Sequence, residues 1–257
     1  MTIPISLLLG SVIGVLLGLL GGGGSILAVP ALVYGLGIPL HEAVPMSLMV
    51  VGIASLFGAI PKIGADLVQW RVAAVFALSG FPAAFAGSAV NRLLPEALTL
   101  AGFAIVMIAA GARMLWSTEG TGTACRVEGS TINWRRCTSR AIPSGLGVGF
   151  LTGLFGVGGG FLIIPALVLL LGIEMSVAVG TSLVIVTANS GSGLVAYLGN
   201  PGLDWWIVAT FTATAVVGSL IAGRYGRKID TGRLQRWFAY LVFAVAALVL
   251  GQVIFIR

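Results

Sequence analysis

Two glycine clusters dominate the residues that could do chemistry. Gly21-Gly22-Gly23-Gly24-Ser25 and Gly156-Val157-Gly158-Gly159-Gly160 each interrupt an apolar run, which resumes behind the cluster. Glycine lacks the Cβ that would hold a ligand away from the backbone. A helix starting behind such a cluster, near Ser25 or Phe161, turns its unbonded N–H groups and positive dipole end toward it. Two such ends brought together would form a cationic pocket without a cationic side chain, and an anion is its natural occupant. The expected binding set is Gly22, Gly23, Gly24 and Ser25 from the first cluster, with Gly158, Gly159 and Gly160 from the second. Ser47, Thr181, Ser182 and Asn189 are the side-chain donors expected to join them. The competing role for each is a hydrogen bond between helices. His41 and Glu42 are candidates for proton coupling, because ionisable groups at membrane depth default to function. The preceding Gly37-Ile38-Pro39 instead suits an interfacial position.

Other chemistry is scarce. The chain has one histidine, and its apolar stretches hold no acid–base pair and no metal-ligand cluster, which argues against an enzyme. No catalytic, metal or cofactor site is expected. A Walker-type G-x-x-x-x-G-K-[ST] is absent, so any transport would draw on a gradient rather than on ATP. Cys125 and Cys137 are too few for a disulfide scaffold and lack metal-ligand spacing, and they read as two unpaired thiols in a loop.

The elements that position the clusters come in two copies. Residues 18–48 and 153–183 align without a gap at a shift of about 135 positions, with roughly 17 of 31 residues identical. Gly21, Gly23, Gly24, Pro30, Gly37 and Ser47 fall on Gly156, Gly158, Gly159, Pro165, Gly172 and Ser182. Hydrophobic residues make up 58%, charged residues 9%, and the mean hydropathy is +1.09. Soluble domains carry about a quarter charged residues, so the solvent here is a lipid bilayer. Residues 4–20 have no basic residue ahead and no small-x-small site behind, unlike a cleaved signal peptide. A straight helix over 4–37 would run about 50 Å against a hydrocarbon core of about 30 Å. A re-entrant hairpin, or two short spans, folded at Gly21–Gly24 fits better. Three ordinary spans follow at 43–61, 72–91 and 97–116. An arginine-bearing loop leads to a second broken element at 141–172 and to spans at 176–198, 205–223 and 235–256. Trp70 and Trp205 open corresponding spans as interfacial anchors. The expected organisation is a first membrane repeat over 1–116, a cytoplasmic linker over 117–139 and a second membrane repeat over 140–257.

Charge placement sets the expected topology. The net charge of +6 could suit nucleic acid, but the basic residues sit between hydrophobic spans and orient the chain instead. If each broken element crossed once, Lys and Arg would divide about 8 against 6 between the faces. If each returns to the side it entered from, residues 62–71, 113–140 and 224–236 share a face and the split is about 12 against 2. The positive-inside rule selects the second arrangement. The expected fold is therefore an all-α polytopic membrane protein of two inverted repeats. Each repeat has a glycine-broken re-entrant hairpin (or two short spans) plus three transmembrane helices. Both termini are expected outside. Inverted repeats with discontinuous helices place a site near the midplane and work by alternating access.

The paired G-x-x-G-x-G-G-G/S-x-L-x-x-P-x-L stretches, Gly18 to Leu32 and Gly153 to Leu167, resemble the TauE/SafE sulfite-exporter-like membrane family. So do the A-V-x-x-S-L stretches at Ala43–Leu48 and Ala178–Leu183, and the resemblance covers nearly the whole chain. The first copy departs at Ser25, which falls on Gly160, and at Pro45-Met46, which fall on Gly180-Thr181. The resemblance implies a secondary transporter in the bacterial cytoplasmic membrane, exporting sulfite, sulfoacetate or another small sulfur oxyanion. An anion channel of the same architecture is the alternative. The expected partners are that anion and the lipid bilayer, without nucleic acid; a homodimer is an open expectation.

Overall fold

The computed structural model describes residues 2–91, 93–116, 134–155, 160–195, 205–226 and 230–255. Those residues are helical almost throughout. In chain order the helices are α1 (Thr2–Leu20), α2 (Ala28–Pro30), α3 (Leu40–Ile63), α4 (Trp70–Asn91), α5 (Glu96–Trp116), α6 (Trp134–Phe155), α7 (Gly160–Pro165), α8 (Met175–Val195), α9 (Trp205–Gly226) and α10 (Thr231–Phe255). A 3₁₀ segment, Gly21–Leu27, precedes α2, and π-helical turns, Ala31–Gly35 and Ala166–Leu170, follow α2 and α7. Among the described residues, six helical stretches are long and apolar enough to cross a membrane. Five of these are the expected spans α3, α4, α5, α9 and α10, to within a few residues, and the sixth is Pro4–Gly35. Helix α8 falls on the expected 176–198 span with a shorter apolar run, Met175–Gly191. The second broken element differs, because α6 begins at Trp134, well before the apolar run at 141. Its polar first turns are held by packing, with the Arg71 guanidinium 4.8 Å from the Trp134 ring centroid.

The repeat is written into backbone detail. Gly37 and Gly172 both have left-handed backbone, at φ 70° and 72°. The residues after them make the same capping bond, Ile38 N–H to Leu32 O at 3.2 Å and Ile173 N–H to Leu167 O at 3.0 Å. Pro30 and Pro165 share φ −54° and each starts a π-helical turn, where the missing proline N–H costs least.

Helix packing follows the same rule. Gly14 of α1 lies against the backbone of Ala215 on α9, and Gly149 of α6 lies against Gly80 of α4, its counterpart pair. Gly10 faces Phe211 as Gly145 faces Phe76, and Gly18 faces Ser219 as Gly153 faces Ala84. Small residues let these backbones touch, and such seams hold helices together where lipid removes the hydrophobic drive. Numbering rises in the same direction along both partners of each seam, so α1 runs parallel to α9 and α4 parallel to α6. In contrast, Gly52 of α3 faces Ser190 of α8, while Gly180 of α8 faces Lys62 of α3. These repeat-related central helices therefore run antiparallel.

The first broken element is a hairpin. Gly21, at φ 60°, turns the chain back in a conformation that costs any residue with a Cβ. Gly24 then lies against Leu17 and Ile13 of α1, and Gly35 lies against the Leu9 side chain. The return limb thus runs antiparallel to α1.

Basic segments gather at one end of the bundle. Lys62 reaches Gly226, Arg71 covers Trp134, and Gln235 Nε2 donates to Met114 O at 2.6 Å. The ends of α3, α5 and α9 therefore meet the starts of α4, α6 and α10. One expectation fails here. Cys137 is disulfide-bonded and buried, not an unpaired loop thiol. The only other cysteine in the sequence, Cys125, lies outside the described residues. Spacing in sequence carries no information on whether two Cα atoms come within the roughly 7 Å that a disulfide requires.

Candidate functional site: two crossing glycine bends

The two broken elements meet at the centre. Gly22 lies against the backbone of Gly160, and Gly160 in turn lies against Ser25 Oγ and Gly22 O. Close approach is the reason for glycine here, since a Cβ at either position would strike main chain. All of Gly21, Gly22, Gly23, Gly24, Ser25 and Gly160 are buried. The other contacts of the first cluster are to its surroundings: Gly23 meets the edge of the Phe238 ring and Gly24 meets Leu17. In this conformation protein atoms occupy the space beside each of these glycines.

Local hydrogen bonds show what the crossing can do. The Gly22 N–H donates to Ser182 Oγ at a long 3.3 Å. Ser182, fully buried on α8, donates in turn to Val179 O at 2.9 Å. A weakly held backbone donor beside a hydroxyl is a pair that an oxyanion oxygen could bridge. Ser25 Oγ donates to Gly22 O at 2.6 Å and tightens the 3₁₀ turn. The long Gly22 N–H bond sits on this 3₁₀ segment, not at a free α-helix N-terminus near Ser25 as expected.

The expected side chains divide. Ser182 joins the crossing directly. Thr181, also fully buried, accepts from Gln69 N–H at 3.1 Å and so ties the 64–69 loop to α8. Ser47 is buried on α3 and donates to Val44 O within its own helix at 2.7 Å. Asn189 is half-buried in the second half of α8, away from Ser182 along the helix. Glu42 is half-buried in the first turn of α3, and His41 occupies the same turn. Gly158 and Gly159 lie outside the described residues. Sequence reasoning missed Lys62, read there only as a topology charge. It is 1% exposed, on the last turn of α3. Lysine at a helix C-terminus looks interfacial in any sequence, and only packing by α8 and α9 buries it.

Crossing broken helices inside a bundle of apolar spans define a multi-pass membrane transporter. A family model described as "Sulfite exporter TauE/SafE" matches residues 6–249. The chain belongs to that family, which is one of membrane transporters and not of enzymes. A probable membrane transporter protein of Xylella fastidiosa (strain Temecula1) is 34% identical over 249 residues, covering 95% of this chain and 93% of its own. The probable membrane transporter YunE of Bacillus subtilis is 26% identical over 248 residues, covering 90% and 91%. A probable membrane transporter of Methanocaldococcus jannaschii is 29% identical over 202 residues, covering 76% and 72%. No solved structure matches the chain.

Proposed function

We propose that the protein is a secondary transporter that exports sulfite, or a related sulfur oxyanion or organosulfonate, across the cytoplasmic membrane. The anion sits where the two glycine bends cross and is exposed to each side in turn. The observation that carries this reading is the contact of Gly22 and Ser25 with Gly160, beside the weakly engaged Gly22 N–H and Ser182. The first bend brings the Gly22 N–H to the point where Gly160 of the second repeat meets it, and side chains there are too small to block an anion. Irregular backbone survives at membrane depth where protein or a water-filled cavity satisfies it. The packed state described above corresponds to a closed centre, which opens when the flanking helices part.

The antiparallel run of α3 against α8 supports inverted repeats. A two-fold along the membrane normal would leave equivalent spanning helices parallel, whereas one in the membrane plane turns them over. The bodies that move are not the two repeats themselves. Glycine seams lock α1 of the first repeat to α9 of the second, and α4 to α6. These cross-repeat pairs rock as units around the central bends. In this reading the basic end faces the cytoplasm and both termini lie outside, an orientation that the gathering of basic segments at one end supports.

The test uses purified protein in lipid vesicles, with sulfite, sulfate, thiosulfate and sulfoacetate compared, and a pH gradient imposed or removed. Saturable sulfite flux with counterflow is expected. Flux that rises linearly without counterflow would favour the channel, and no flux of any of the four would reject the reading.

A further inference from the structure

Helix hydroxyls in this molecule have a regular habit. Ser47, Ser79, Thr187 and Thr214 each donate to a carbonyl three or four residues back in their own helix. That is the ordinary way to satisfy a hydroxyl in apolar surroundings. Ser55, on α3, breaks the habit. It is 0% exposed, and its Oγ has no hydrogen-bond partner. A hydroxyl shielded from water and left without a partner costs free energy, so it points to a group that completes it.

Neighbours on α3 fix where that hydroxyl points. Gly52, one turn before, faces Ser190 of α8, and a Cβ there would stand 2.9 Å from Ser190 Cβ. Gly58, one turn after, faces α9 and α8, with a Cβ 3.2 Å from Ser219 Oγ and 3.7 Å from Leu183 Cδ1. Residues three apart are neighbours on a helix face, so Ser55 lies between these two and points into the seam where α8 and α9 meet α3. Gly52 on Ser190 and Lys62 on Gly180 set the register of α3 against α8. That register brings Thr187, on the same α8 face as Leu183 and Ser190, level with Ser55.

Four hydroxyls from three helices therefore converge, and Ser55 and Ser190 among them fall on each other in the repeat. Thr187 Oγ1 commits its hydrogen to Leu183 O at 2.8 Å, and Ser219 Oγ commits its own to Ala54 O at 2.9 Å. Both have only lone pairs left to offer. An oxyanion needs hydrogens, whereas a hard cation takes oxygen ligands of this kind. Helices α8 and α9 carry no carboxylate, and α3 has only Glu42, in its first turn. The charge that fits is a single one. Lys62, the other cation of this helix, lies about 10 Å further along α3.

We infer that Ser55, Thr187, Ser190 and Ser219 form a binding site for a small alkali cation, of the size of sodium, between α3, α8 and α9. The inference rests on the reading of the protein as an anion carrier and adds the ion bound beside the anion. Ser190 lies one turn beyond Val186, which faces Gly160 of the crossing, so the two ions stand roughly 5–6 Å apart along α8. At that separation, away from water, opposite charges attract strongly. Each ion then raises the affinity of the other by the same factor.

The experiment measures the thermal midpoint of purified protein in detergent against sodium chloride concentration, with choline chloride at equal ionic strength as the blank. A ligand bound only by the folded state raises the midpoint by mass action, so the sodium-dependent shift reports binding whatever a variant's own stability. The wild type is expected to show that shift, and Ser55→Ala to lower apparent sodium affinity about tenfold. If Ser55→Ala fails to fold, Thr187→Val and Ser190→Ala carry the same test, each with a several-fold loss. No sodium shift in the wild type, or an unchanged shift in Ser55→Ala, overturns the site. In vesicles, the sulfite KM should be several-fold lower in sodium than in choline, and Ser55→Ala should remove that difference. Equal KM in the two salts for the wild type overturns the site while leaving the carrier intact. No sulfite flux in either salt overturns the carrier reading itself, and the sodium shift still decides the site.

Discussion

The outer seams and the centre of this molecule treat the repeat in opposite ways. At the seams the copies are nearly interchangeable: Gly14 on Ala215 becomes Gly149 on Gly80, and Gly18 on Ser219 becomes Gly153 on Ala84. At the centre they diverge. Thr181 accepts from the Gln69 N–H, whereas Met46, its counterpart, has no side-chain oxygen with which to accept. Lys62 is buried beside Gly180, where the other repeat has Tyr197 and Pro45. The scaffold is therefore symmetric and the chemistry is not. Packing constrains residue size at every seam position, and size alone is satisfied by the same glycine twice. Ligand chemistry asks for donors at one point, and either repeat can supply them.

The sharpest way to break this comparison is at the seams. Gly14→Leu and Gly149→Leu drive side chains into main chain, and each should cost about 1–3 kcal/mol or more and sharply reduce folded protein. The two losses should be equal, and size-exclusion yield of the two variants checks this. Unequal yields would show the seams to be inequivalent. Gly23→Leu meets the Phe238 ring and not main chain, so folded protein should survive while sulfite efflux falls at least about 100-fold. Gly158→Leu is its counterpart and should behave alike, in a vesicle assay normalised to inserted protein. Ser182→Ala removes the acceptor for the Gly22 N–H and should raise the sulfite KM about fivefold, matching roughly 1 kcal/mol for one hydrogen bond. Ser47→Ala should change it less than about twofold; equal effects would restore a symmetric centre.

A smaller contrast lies at the helix ends. Asn91 Nδ2 donates to Leu154 O at 2.6 Å, while its repeat counterpart is Gly226, beside Lys62. Asn91→Ala should cost about 1 kcal/mol, read as a shift of a few degrees in the unfolding midpoint. The disulfide at Cys137 tests the orientation of that end. Insertion follows the basic residues, and a reducing cytoplasm keeps thiols apart. Cytoplasmic placement therefore predicts that alkylation in intact cells finds Cys137 reduced, with less than about twofold change in transport on later oxidation. A bridge already formed in cells would place the basic end outside.

Much of the fold was legible because glycine and proline are punctuation with fixed meanings. The Gly21 cluster marked a reversal, and the pairing of Pro30 with Pro165 and of Gly37 with Gly172 marked equivalent positions. That the prolines open π-helical turns and the glycines form left-handed caps emerges only from the backbone. Burial of individual polar groups was not legible. Lys62 and Ser182 depend on which helix faces them, and that is decided by seams between residues two hundred positions apart in order of magnitude, such as Gly14 and Ala215. Met46, which falls on Thr181, likewise shows no polarity from which to infer what its partner holds. The helical start of α6 was hidden because its first turns are polar and are held by a cation–π contact.

The central claim is that an oxyanion sits where the bends cross. Crystals of the native-methionine protein grown with selenite, a heavier isostere of sulfite, would locate the anion directly from selenium anomalous scattering. The account predicts a selenium peak within hydrogen-bond reach of the Gly22 N–H and Ser182, between Ser25 and Gly160. A well-ordered crossing with no selenium there, at selenite concentrations that saturate flux, would contradict it.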